Sequence, residues 1–102
     1  MKDYKIKEVV DKVSESLGYE IRESRHFQIR NVQRFTDLGM VYEALINEEL
    51  VGILKQDYNK FLLFYEHKTL NSHDLAVVIA MGDDFINLIT AFVNPKHRRV
   101  KI

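Results

Sequence analysis

The hydrophobic pattern changes character partway along the chain. Before Glu49 the apolar residues recur every three or four positions among charged ones, and after it they gather into short dense runs. From Asp3 to Leu17, the positions Ile6, Val9, Val10, Val13 and Leu17 predict an amphipathic helix, with Gly18 as its stop. Tyr19 to Glu23 alternates briefly and reads as either a short strand or an extended link. Ser24 suits the cap of a second helix, because its hydroxyl can accept an orphan backbone N–H. On that helix Phe27, Val32, Phe35 and Leu38 fall on one broad side. His26, Arg30, Gln33 and Arg34 fall on the other, while Gln28 and Asn31 blur the division. Thr36 or Asp37 caps a third helix, Leu38 to Asn47, which carries Val41, Tyr42, Leu45 and Ile46.

The later runs, "LVGILKQ", "NKFLLFYEH", "DLAVVIAMG" and "DFINLITAFV", are rich in Val, Ile, Leu and Phe and are separated by short polar links. These are strand and turn signals. Strands joined so closely predict an antiparallel meander, and Pro95, which cannot donate to a ladder, ends the last one. Helices first and strands afterwards predict an α+β domain, with N-terminal helices packed on one face of a four-stranded antiparallel sheet. The expected core sets Phe27, Val32, Phe35, Val41 and Leu45 against Phe61, Leu63, Val77, Ile79, Leu88 and Phe92.

A chain of 102 residues holds one domain and one core. It divides into an N-terminal helix (1–18), a core (19–93) and a basic tail (94–102). The longest apolar run, Leu75 to Met81, is too short to span a bilayer, so no membrane partner is expected. The start "MKDYKIKEVV" lacks the pattern of a signal peptide. Without cysteine there is no disulfide and no thiolate metal site, and a cytoplasmic location is expected.

The zero net charge conceals two basic patches: residues 21–34 carry +3 and residues 94–102 carry +4, whereas 35–66 carry −4. A whole-protein field cannot attract nucleic acid, but either patch could do so locally.

The ridge His26, Arg30, Arg34 is the first candidate site, since residues four apart line one side of a helix. Arginine presents a planar fork matched to phosphate, and histidine moves protons near neutral pH. The plainer alternative is a solvated face whose arginines pair with Glu43, Glu48 or Glu49. Thr90, polar in an apolar strand, could hold a phosphate oxygen or bond locally. In the tail "NPKHRRVKI", the residues Lys96, His97, Arg98 and Arg99, with Arg25 from the second helix, are the candidate RNA contacts, or else a solubilising end. His67 and His73 have no accompanying ligand pattern, so neither metal nor other cofactor is expected.

The segment "SRHFQIRNVQRFTDLGMVYEAL", followed by several strands and a late "ITAF", resembles small prokaryotic domains of the RelE-like, barnase-like, EndoU-like and colicin-type ribonucleases. The resemblance covers Tyr19 to Val93. It implies a curved four-stranded antiparallel sheet and metal-independent RNA cleavage, in which the RNA's own 2′-hydroxyl attacks the phosphate. It further implies His26 as acid or base, Arg30 and Arg34 as stabilisers of the phosphorane, and Thr90 as an orienting hydroxyl. The implied biological setting is the toxin of a toxin–antitoxin pair, with RNA and a cognate antitoxin protein as partners. The neutral total charge departs from the basic character of such toxins. A non-catalytic interaction domain, holding a protein partner on the same sheet, is the alternative, and the acidic stretch Glu43 to Glu49 favours it.

Overall fold

The computed structural model describes residues 2–14, 20–34 and 38–100, with the backbone alone for 30–34. The first helix, α1 (Ile6–Ser14), buries Val9 and Val13 and leaves its lysines and acids outside. The strand β1 (Glu20–Glu23) leads through Ser24 into α2 (Arg25–Arg34). Ser24 caps α2 as expected: its Oγ accepts the Phe27 N–H at 2.9 Å. Such a cap stabilises a helix by about 0.5–2 kcal/mol. After it, α3 (Leu38–Asn47) buries Val41, Ala44 and Leu45. The remaining elements are β2 (Gly52–Lys55), β3 (Lys60–Glu66), β4 (His73–Met81) and β5 (Phe85–Pro95), with a 3-10 turn at Lys96–Arg98. The expected stop at Gly18, the Thr36 or Asp37 cap, Phe35 and the Val32 side chain lie outside the described residues.

The sheet corrects the sequence-based expectation. It has five strands, in the order β1-β5-β4-β3-β2, not four. The last four strands form the antiparallel meander, but β1 adds to β5 in parallel, with Glu20 opposite Phe85 and Glu23 opposite Leu88. The domain is therefore mixed α/β, with more strand than helix. The four-stranded antiparallel plan implied by the ribonuclease resemblance is not the plan of this chain. "EIRE" carries almost no hydrophobic signal; it is an edge strand whose one strand neighbour among the described residues, β5, lies far along the sequence. Charged residues suit such an edge, since they discourage pairing with another chain.

The helices cover one face of the sheet. Val9, Val13, Phe27, Val41 and Leu45 form one buried cluster with Phe61, Leu63, Val77, Ile79 and Leu88. Phe92 is not part of it, and a bulge in β5 explains why. Ile79 stands opposite Leu88, but the neighbouring Val78 stands opposite Thr90, so Ile89 is an extra residue. Side chains alternate across a strand, and one inserted residue reverses every later position. Ile86 and Leu88 thus face the helices, as do Ala91 and Val93, which lie opposite Val77 and Leu75. Thr90 and Phe92 face away.

The C-terminal segment closes part of that outer face. Arg99 Nε donates to Asp74 Oδ2 at 2.7 Å and Nη2 donates to Oδ1 at 2.5 Å. Asp74 is completely buried. The Val100 carbonyl then accepts the Ile53 N–H at 2.9 Å, so the tail meets the free edge of β2. Gly52 permits this approach, because a Cβ there would stand 3.0 Å from the Phe64 ring and collide with the Val100 carbonyl oxygen.

Candidate functional site

The proposed catalytic ridge is only partly visible. His26 and Arg25 are exposed at the start of α2, beside the buried Phe27 that anchors this helix in the core. The side chains of Arg30 and Arg34 lie outside the described residues, although the backbone there is helical. α2 lies against β5, the strand that carries Thr90; Phe27 of α2 joins the core on the helix-covered face, whereas Thr90 stands on the other face of β5. Thr90 Oγ1 is buried without a hydrogen-bond partner among the described residues.

Glu23 and Tyr42 tie β1 to α3 instead. The Tyr42 hydroxyl donates to Glu23 Oε2 at 3.0 Å. Partial burial, then the adjoining carboxylate, raises the Tyr42 phenol above its ordinary range.

The basic tail is mostly committed to holding the fold. Arg99 is occupied by Asp74, a bond that raises its already high pKa. Lys96 Nζ stands 3.6 Å from Glu66. His97 and Arg98 are the exposed members of the proposed RNA-binding set in this segment. The sequence signal for this arrangement was Asp74 itself, a lone carboxylate heading the apolar run "LAVVIAM".

The two loop histidines serve local structure. His67 Nδ1 accepts the backbone N–H groups of Thr69 at 3.2 Å and Leu70 at 3.1 Å. His73 Nδ1 lies 2.9 Å from Ser72 Oγ. Among the described residues no group of three or more His, Cys, Asp or Glu is placed to hold a metal ion.

A groove lies elsewhere, between α1 and the end of α3. It encloses about 480 Å³. Its apolar lining comes from Ile46 of α3, Val10 of α1 and the following Leu50, with the buried Val13 and Leu45 behind them. Ile46, 40% exposed, is the most open apolar residue of this lining. The rim carries Ser14, Asn47, Glu48 and Glu49. Lys68 reaches over from the β3–β4 loop to Glu43 at 3.1 Å and Glu48 at 3.2 Å, and these bonds raise its pKa. Glu49 has no ion-pair partner among the described residues. The acidic stretch noted in the sequence is therefore one wall of a groove. Sequence reasoning missed its apolar floor, which depends on packing two distant helices together; the visible hint was Ile46 among polar residues in "INEE".

Among the described residues no helix is long and apolar enough to cross a membrane. A five-stranded mixed sheet with three helices on one face and an acid-rimmed groove between two of them defines a small two-layer α/β domain. The model of the MJ0788 family matches residues 7–79, well over half of the chain, and the protein belongs to that family. No curated protein and no solved structure matches the chain.

Proposed function

We propose that this is a non-catalytic protein-interaction domain whose contact surface is the groove between α1 and α3. The observation that supports it is a groove that sets the partly exposed, apolar Ile46 beside a charged rim. A soluble domain gains by burying such a residue in its own core, and a concave apolar surface with polar edges is the usual form of a binding site. A cytoplasmic setting accords with this reading, since the sequence has no cysteine.

Site-specific photocrosslinking in the source cells tests it. A crosslinking residue at Ile46 is expected to trap a discrete protein, while one at Leu54, on the opposite face of the sheet, is not. Equal labelling from both positions, or none from Ile46, would overturn the reading.

Metal-independent RNA cleavage, with the domain as a toxin restrained by an antitoxin, is the second reading. It is favoured by one observation, the adjacent exposure of Arg25 and His26 on α2. Its acid–base group would be His26, with Arg30 and Arg34 acting on the phosphate. Thr90, facing the other side of the sheet, would need a different role.

A further inference from the structure

We infer that the partner of the α1–α3 groove is a basic amphipathic segment of another protein, one that places apolar side chains on the floor and lysines or arginines against the rim. This rests on the interaction reading above and adds the chemistry of the ligand.

Two features of the groove specify that chemistry. Ile46, with the partly buried Val10 and Leu50 beside it, offers apolar surface that an apolar side chain would cover. The rim is negative: Glu48 and Glu49 line it, and Lys68, bonded to Glu48, is shared with Glu43.

An acidic segment would meet repulsion at the rim. A neutral apolar segment would fill the floor but leave the rim carboxylates half desolvated. A basic amphipathic helix, with apolar residues at one-turn spacing and cations beside them, satisfies both parts at once. Its cations would also steer its approach, making association sensitive to salt.

The experiment uses the full chain, labelled with ¹⁵N, and two synthetic helical peptides of the same length and apolar pattern. One carries lysine and the other glutamate at every polar position. The lysine peptide is expected to shift the amide signals of Val10, Val13, Ile46, Glu49 and Leu50, and to bind at least tenfold more weakly in the Glu48→Gln/Glu49→Gln variant. Its affinity should fall as salt rises. Binding of the glutamate peptide in the groove with equal affinity would overturn the basic-partner inference while leaving the interaction reading intact. Lysine-peptide shifts centred on Glu66 and the β3–β4 loop would overturn the inference as well. Concentration-dependent shifts of the same signals without peptide, with a dimer in sedimentation, would assign the groove to a second copy and overturn it too. Binding of neither peptide in the groove, together with no crosslink from Ile46, would remove the interaction reading itself.

Discussion

Arg99 holds Asp74 with two donors of one guanidinium, at 2.7 and 2.5 Å, and the carboxylate has no exposure to solvent. This pair joins the last described turn of the chain to the start of β4. Removing one member of a buried pair strands the other, which typically costs about 3–5 kcal/mol. Arg99→Ala should therefore lower the melting temperature by more than 10 °C, at about 4–8 °C per kcal/mol for a domain of this size. Arg99→Lys should recover only part of the loss, because an ammonium cannot reproduce the fork. Thermal denaturation followed by circular dichroism measures both. An unchanged melting temperature in Arg99→Ala would mean that the pair contributes nothing.

Gly52→Ala gives an independent view of the same contact. The new methyl group would collide with the Val100 carbonyl oxygen. The backbone bond from Ile53 to that oxygen should break, freeing the tail while the rest of the sheet persists. Limited trypsin digestion should then cut after Arg98 and Arg99 many times faster than in the wild type. Equal cleavage rates would show that the tail accommodates the methyl group.

The Tyr65 hydroxyl is buried and has no hydrogen-bond partner among the described residues. Leaving a buried hydroxyl unpaired costs about 1–3 kcal/mol, so Tyr65→Phe should keep or raise the melting temperature. Burial also pushes the Tyr65 phenol far above its ordinary range. An unfolded tyrosine ionises near pH ~10, so above that pH the unfolded chain releases a proton that the folded chain retains. Stability should fall as pH rises past ~10, and Tyr65→Phe should flatten that fall. Denaturant unfolding at pH 9 and pH 11 makes the comparison.

Incubation with total RNA separates the two functional readings. The wild-type chain is expected to leave RNA intact, with or without EDTA. Cleavage that disappears in both His26→Ala and Arg30→Ala, in variants shown by circular dichroism to be folded, would favour the ribonuclease. Loss of a proton-transferring group would slow it by about 10²–10⁴.

Much of the architecture was readable where it depended on local pattern. The third helix, Leu38–Asn47, matches its periodic apolar positions end to end, and Ser24 caps α2 as its hydroxyl allows. The four later strands coincide with the four apolar runs. What the pattern lacked was long-range. The strand "EIRE" exists because β5 is there to receive it. The face occupied by Thr90 depends on the unpaired Ile89, and nothing in the alternation of "DFINLITAF" marks an extra residue. Without that bulge Phe92 would share the face of Leu88, as the expected core had it, and Thr90 would lie there too. The tail's positive charge was visible, and so was Asp74 at the head of its apolar run, but not that the fold brings Arg99 onto it.

The pairing of β1 with β5 has a consequence for the order in which the domain can be made. The ribosome delivers β1 before the other strands, and its strand neighbour β5 after all of them. The meander β2-β3-β4 can close by neighbouring turns as it appears, whereas β1 must wait until β5 has docked on β4. Closing so long a loop is entropically slow compared with forming a hairpin. The final strand is an interior one, bonded on both sides, so a nascent chain halted before Phe85 would expose the edge of β4 and leave β1 unattached. Delivery of β5 is thus the step that joins β1 to the rest of the sheet.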